Sequence, residues 1–117
     1  MEENLNFNNI ELEDDIVESI SYDSEKKELA MGIKHIVGTY KEGELTQFKY
    51  NSILLKFEKV SELNNFRNVT HHDIIGFHKK KQESKLTFQF YFSHGLESDP
   101  KYEGKPLEIT CKNLRIE

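Results

Sequence analysis

An internal disulfide bond is impossible in this chain, because Cys111 is its only cysteine. No apolar run approaches the roughly 18 residues that a membrane-spanning helix needs. The first four residues, Met-Glu-Glu-Asn, also lack the positive charge of a signal peptide. A chain without disulfides suits a reducing compartment. The sequence therefore predicts a cytoplasmic protein that makes no contact with a membrane.

Catalytic motifs are missing as well. The sequence has no Gly-rich phosphate loop, no serine elbow and no closely spaced carboxylate pair in a suitable context. Lys79-Lys80-Lys81 is a basic run, but no wider basic stripe accompanies it. We therefore expect a protein that is not an enzyme, needs no cofactor and does not bind nucleic acid.

Aromatic residues are plentiful, with eight Phe and five Tyr in 117 residues. They supply much buried area per residue, although only 36% of the chain is hydrophobic and 32% is charged. A chain of this length fits one domain. We expect a single β domain over residues 1–117 with a thin aromatic core, and a loose N-terminal arm over residues 1–9 whose Phe7 rests on the sheet.

Alternating apolar residues predict two β-hairpins. Residues 16–22 and 29–33 flank a polar turn, as two strands of a hairpin would. Residues 73–78 and 86–92 predict the second hairpin around Lys79 to Lys85, and the alternation of Leu86, Phe88, Phe90 and Phe92 is the clearest strand pattern in the chain.

The remaining segments also favour extended structure. Residues 53–57 and 107–111 predict strands, and a change of phase at Lys112-Asn113 indicates a β-bulge. Ser61 to Phe66 predicts one helical turn. The fold class is therefore all-β, an antiparallel sandwich or partly open barrel of about six or seven strands with one short helical turn. The predicted inner face contains Ile16, Ile20, Leu29, Met31, Ile33, Ile53, Leu55, Phe57, Leu86, Phe88, Phe90 and Ile109.

His71, His72, Asp73 and His78 form a cluster that could bind a metal ion or act as an acid or base. Alternate residues of a strand share a face, so His71 and Asp73 could act together. A zinc site needs three or four ligands and only two are supplied locally, so His35 or His94 would have to join them from elsewhere in the chain. Surface histidines without a function are the simpler interpretation, so no metal is expected.

Negative charge is concentrated near the start of the chain. Residues 1–30 hold ten of the 21 acidic residues and only two of the 16 basic ones. The densest part contains Glu11, Glu13, Asp14, Asp15 and Glu18, with no Lys or Arg among them. Their fields add, which favours a basic protein partner. A solubilising surface is the alternative interpretation.

Several segments resemble a group of small bacterial domains. They are Phe7, Leu12-Glu13-Asp14, Ile16, Ile20-Ser21-Tyr22-Asp23, Leu29, Ile53 to Leu63 and Leu107 to Cys111. Relatives of that group are associated with polymorphic toxin systems as immunity proteins. Where the group tends to have His, this chain has Glu13, so no role of that histidine is carried over. The resemblance implies a protein that neutralises a toxin by binding it.

Three hypotheses follow. The preferred one is a cytoplasmic immunity-type protein whose acidic start faces a basic toxin domain. The second is a small-molecule-binding or metal-binding β domain that uses the region from His71 to His78 and the loop from Ser93 to Pro106. The third is a homo-oligomeric module that joins through an edge strand.

Overall fold

Two antiparallel β-sheets enclose one hydrophobic core. The computed structural model describes residues 5–41, 43–93 and 100–117. Its strands are β1 (Ile16–Asp23), β2 (Glu28–Lys41), β3 (Glu44–Glu58), β4 (Glu62–Asn64), β5 (Ile74–Gln82), β6 (Lys85–Phe92), β7 (Leu107–Cys111) and β8 (Asn113–Ile116). The first sheet has the order β1-β2-β3-β8 and the second has β4-β7-β6-β5. The predicted all-β antiparallel fold is confirmed.

The first predicted hairpin is present. β1 and β2 are antiparallel, with Ile20 opposite Met31 and Tyr22 opposite Leu29. In the connecting turn, the Asp23 carboxylate accepts hydrogen bonds from the backbone N–H groups of Glu25 and Lys26, at 3.0 and 3.1 Å. A short acidic side chain at the start of a turn stabilises it in this way.

A bulge early in β1 changes which residues face the core. The pairing register shifts between Val17 and Ser19, so Val17 is fully buried. Ile16 is only half-buried, and its predicted place in the core is wrong because one extra residue reverses the alternation that precedes it. Ile20 and Ile53 are half-buried but pack against the core as predicted.

The second hairpin is longer than the sequence indicates. β5 continues through Lys79, Lys80 and Lys81 to Gln82, and the turn lies at residues 83–84. The three lysines are therefore part of an edge strand rather than of a hairpin tip. Lysines are common on such edges, because they oppose pairing with another chain.

The predicted helical turn at Ser61 to Phe66 is wrong. Glu62–Asn64 is a short strand that pairs with β7, and its Leu63 lies opposite Ile109 and packs against the core. Tertiary pairing thus overrides the weak local helical pattern. The short helical segment of the described chain is instead a 3-10 helix at Pro100–Tyr102.

The predicted bulge at Lys112-Asn113 is a change of sheet. β7 pairs with β6 in the second sheet, whereas β8 pairs with β3 in the first. Between them, the Lys112 N–H donates to the Glu58 carbonyl at 3.1 Å. The phase of the apolar residues changes at this point because the chain crosses from one sheet to the other.

The opposite side of the sandwich is joined by hydrogen bonds between separate segments. Ile16 and Asp73 form an isolated antiparallel bridge. The N–H of Val17 donates to the His72 carbonyl at 3.0 Å, and the N–H of His71 donates to the Val17 carbonyl at 2.7 Å. The two sheets are therefore connected along both sides, as in a flattened barrel.

Aromatic rings fill the space between the sheets. Phe88 lies 5.0 Å from Phe57 and 5.6 Å from Phe7, both in edge-to-face geometry. Phe90 lies 5.1 Å from Phe77. Such ring pairs add to the stabilisation from buried area. The core as a whole contains Ile10, Leu12, Val17, Leu29, Met31, Ile33, Leu55, Phe57, Val60, Val69, Ile74, Phe77, Leu86, Phe88, Phe90, Phe92, Leu107, Ile109 and Cys111.

Lys79 fastens the N-terminal segment to the second sheet. Its ammonium group donates to the carbonyl oxygens of Phe7, Asn8 and Ile10, at 2.7, 2.9 and 3.0 Å. All three donors of the ammonium are therefore used. The predicted loose arm is therefore anchored at Phe7 and Asn8, and residues 1–4 lie outside the described range.

Replacing Phe88 with Ala should reduce the free energy of unfolding by about 3 to 5 kcal/mol, because the ring is 1% exposed and its removal leaves a cavity. Urea unfolding followed by circular dichroism measures the loss. Phe66→Ala is the control, since that ring is 38% exposed, and should cost about 1 kcal/mol or less. Equal losses in the two variants would contradict the assigned core.

Replacing Lys79 with Met should reduce the free energy of unfolding by about 1 to 3 kcal/mol, because the apolar stem remains but three carbonyl groups lose their donor. Limited proteolysis should then cut the N-terminal segment faster. Lys80→Met, at an exposed neighbouring position, should change neither measurement. Slow cleavage in both variants would show that Lys79 does not hold the segment.

Candidate binding surface

The acidic segment, defined as residues 11–15, lies where the two sheets meet. The Asp14 N–H donates to the Ile74 carbonyl, and the Ile74 N–H donates to the Asp15 carbonyl, both at 2.8 Å. These bonds place residues 14–15 alongside the start of β5. The acidic segment and the loop at His71 to Asp73, two regions singled out separately in the sequence, are therefore neighbours.

Four of the five predicted partner-binding carboxylates are exposed. Glu11, Glu13, Asp14 and Glu18 lie at the surface, and none has a salt-bridge partner among the described residues. Glu18 accepts a hydrogen bond of 2.8 Å from the Ser52 hydroxyl. Because no salt bridge within the described residues neutralises these groups, they provide a negative surface that a basic partner could approach.

Asp15 is different, because its side chain is only 2% exposed. One carboxylate oxygen accepts a hydrogen bond of 3.0 Å from the Ile36 N–H, and the other lies 2.5 Å from Nδ1 of His35. β1 does not pair with β2 at Ile36. The Asp15 side chain therefore accepts the hydrogen bond that a neighbouring strand would otherwise accept. Asp15 therefore stabilises the interior and is not part of the exposed acidic surface.

Burial raises the pKa of Asp15 above its ordinary value, and the negative charge of Asp14 acts in the same direction. The hydrogen bonds from His35 and Ile36 and the charge of His35 oppose this rise without cancelling it. A carboxylate that is withdrawn from water is stable only with a partner. His35, with a side chain 15% exposed, is that partner.

The histidines considered as candidate metal ligands do not converge on one point. His72 Nδ1 lies 3.0 Å from the Ser93 carbonyl oxygen. The exposed His78 stands edge-on to Tyr91, with ring centroids 6.0 Å apart. His71 and Asp73 are exposed. Within the residues that the structure covers, no group of three His, Cys, Asp or Glu side chains could hold a metal ion.

The outer face of the second sheet is polar. Gln89 Nε2 donates to Glu108 Oε2 at 2.6 Å, and Asn64 Nδ2 donates to Glu108 Oε1 at 3.4 Å. Cross-strand pairs of this kind stabilise a sheet face that meets water. These side chains satisfy one another, so the face gains order without a ligand.

The loop predicted at Ser93 to Pro106 is described only in part, since residues 94–99 lie outside the described range. Arg67 contacts the second half of this loop. The Arg67 guanidinium lies 4.9 Å from the Tyr102 ring centroid and 5.5 Å from that of Phe92, and it donates to the Lys105 carbonyl at 3.1 Å. Such cation–π contacts order a surface loop.

A two-stranded ribbon extends beyond the first sheet. We define the ribbon as residues 35–41 of β2 and 44–51 of β3. These residues pair with each other. The pairing of β2 with β1 ends at Lys34, and the pairing of β3 with β8 ends at Leu55. His35 and Ile36 form its base. The contact with Asp15 therefore ties the acidic segment to the ribbon.

Cys111 is 1% exposed, as its alternation with Leu107 and Ile109 predicts. Burial raises the pKa of its thiol to about 12. A thiol that remains protonated at neutral pH is a poor nucleophile. Cys111 therefore acts as a small hydrophobic residue of the core.

Comparison with protein-family models, curated proteins and solved structures finds no match to this chain. The resemblance to immunity-type domains therefore stays a prediction from the sequence. No helix in the described part of the chain is long and apolar enough to cross a membrane.

Replacing Asp15 with Ala should reduce the free energy of unfolding at neutral pH by about 2 to 4 kcal/mol, because the Ile36 N–H and the His35 ring both lose their acceptor. Chemical denaturation measures the change. Glu13→Ala is the control at an exposed position of the same segment and should stay within about 0.5 kcal/mol of the parent protein. A small effect of both substitutions would mean that Asp15 contributes only surface charge.

Proposed function

We propose that this protein is a cytoplasmic, non-enzymatic binding protein of the immunity type, which neutralises a cognate toxin by direct contact. The observation that carries the proposal is the exposed acidic surface formed by Glu11, Glu13, Asp14 and Glu18. A toxin domain with a basic surface is the partner that such a surface favours.

The electrostatic argument depends on the absence of compensating charge. These carboxylates have no cationic partner among the described residues. These carboxylates therefore remain available to attract a basic protein. Uncompensated charge of one sign raises the rate at which an oppositely charged partner associates.

The anchoring of the segment supports the same proposal. Lys79 and Asp15 fix the backbone on both sides of Glu11 to Asp14. A partner would thus meet charges on an ordered support, and less conformational entropy would be lost on binding. A mobile acidic tail would lack this advantage.

A growth assay tests the function directly. The probe is the toxic C-terminal domain of a secreted protein encoded by a neighbouring gene, expressed in bacteria with and without this chain. Co-expression should restore growth, and the purified pair should form a complex. If no such gene exists nearby, or if the neighbouring domain is toxic but neither bound nor neutralised, the immunity proposal is wrong.

Neutralising three exposed carboxylates together, in the variant Glu11→Gln, Glu13→Gln and Asp14→Asn, should slow association with that toxin domain about tenfold at low salt. The difference should shrink at high salt, because salt screens surface charge. Surface plasmon resonance measures the rates. The free energy of unfolding should remain nearly constant, since none of the three side chains is buried.

The matched control removes the same number of charges elsewhere, in the variant Glu62→Gln, Glu83→Gln and Glu103→Gln, all at exposed positions. It should affect association much less. Equal slowing in both triple variants would indicate a general effect of net charge. Unchanged rates in the first variant, with toxin binding intact, would place recognition on another surface.

A further inference from the structure

Ile75 is the residue at which the pairing of β5 with β6 skips a position. Ile74 lies opposite Phe92 on β6, and both side chains are buried in the core. The next pair is Gly76 with Tyr91, so no residue of β6 lies opposite Ile75. Ile75 is therefore the extra residue of a β-bulge. A bulge turns a side chain away from the direction that strict alternation would give it.

Ile75 is also the most exposed large hydrophobic residue of the described chain, at 56%. The two others, Tyr50 at 41% and Phe66 at 38%, have partners within the protein. The Lys34 ammonium lies over the Tyr50 ring, and the Phe66 ring lies 6.2 Å from that of Tyr22. Ile75 instead leaves more than half of its surface in water. A partner that covered this side chain would gain binding free energy from the buried apolar area.

The backbone on both sides of Ile75 is held in place. Ile74 is fully buried, and its N–H and carbonyl groups each form a hydrogen bond of 2.8 Å with the acidic segment. On the other side, a Cβ atom at Gly76 would lie 3.3 Å from both Cβ and Cδ2 of Tyr91, so the Tyr91 side chain packs closely on bare backbone. A side chain on such an ordered support loses little conformational freedom when a partner binds it.

Carboxylates lie near Ile75 at the surface. The hydrogen bond from the Asp14 N–H to the Ile74 carbonyl places Asp14 beside the start of β5, and Asp73 lies two positions before Ile75. Both are exposed, and neither has a salt-bridge partner among the described residues. A second copy of this chain that docked here about a two-fold axis would bring like charges together, which opposes that contact. A different protein with basic residues around an apolar pocket is the occupant that fits.

We propose that Ile75 is the apolar anchor of the toxin contact and enters an apolar pocket of the toxin domain, whose surrounding Lys or Arg side chains meet Asp14 and Asp73. This inference rests on the proposed function, because the toxin domain is the partner. It adds the residue that keeps the complex together once the exposed carboxylates have attracted the partner. Side chains that fill a desolvated pocket carry most of the binding free energy at an interface.

An apolar anchor and surface charges affect different rate constants. Electrostatic attraction acts during the approach of the partner, so it changes mainly the association rate and weakens as salt is added. The contact of an apolar side chain with its pocket is complete only after docking, so its loss changes mainly the dissociation rate. The two contributions can therefore be separated in one kinetic measurement.

Ile75→Ala should dissociate from the toxin domain about tenfold faster than the parent protein, and its association rate should change by less than about twofold. The faster dissociation should be the same at low and high salt, because salt does not screen an apolar contact. Ile75→Val keeps most of the apolar surface and should stay near the parental rate. Phe66→Ala is the matched control, since it shortens an exposed apolar side chain elsewhere, and should keep the parental rate. Surface plasmon resonance measures all four proteins.

The outcomes separate the anchor from the proposed function. Parental dissociation of Ile75→Ala, with the toxin domain bound, would overturn the anchor and leave the proposed function intact. Equally faster dissociation of Phe66→Ala would also overturn it, because the effect would not belong to Ile75. Failure of the parent protein to bind the toxin domain would overturn the proposed function and this inference with it. A parent dimer in light scattering that Ile75→Ala converts to a monomer would assign Ile75 to a contact between copies and overturn the toxin contact.

Discussion

The buried carboxylate of Asp15 is the constraint on which the joined side of the sandwich depends. The pairing of β1 with β2 ends at Ile16 and Lys34. Beyond that point, the Ile36 N–H would lack an acceptor without the Asp15 side chain. The same residue orders β5 through its backbone carbonyl. Since buried donors are costly when unpaired, this one residue, through its side chain and its backbone, fixes where β1 leaves the sheet, where β5 begins and where the ribbon starts.

The edges of the two sheets are protected by different means. On one side the chain passes from β7 to β8 and so belongs to both sheets. On the other side, residues 14–17 hydrogen-bond to residues 71–74 and cover the start of β5, while lysines occupy the strand further along. An exposed strand edge is a site for unwanted pairing. In the described structure, the paired strands of the ribbon continue beyond the segments that cover the sheet edges.

Local alternation predicted the strands well, and long-range contacts explain the errors. The pattern from Leu86 to Phe92 identified both strand and buried face, because side chains of a strand alternate by geometry alone. The bulge after Val17, the strand at Glu62–Asn64 and the change of sheet at Lys112 each depend on a partner distant in the sequence. The same reason hid the Asp15–His35 pair, whose members are 20 residues apart. An acidic residue directly before a strand was the available signal, but it did not specify His35.

Charge density in the sequence does not distinguish the two uses that the fold makes of neighbouring carboxylates. Asp14 is exposed and Asp15 is buried, so one contributes to the surface field and the other to internal order. The two uses are thermodynamically linked. A partner that binds Glu11 to Asp14 only in their ordered arrangement would favour the contacts of Asp15 with His35 and Ile36. By reciprocity, those contacts would strengthen the binding of that partner by the same factor.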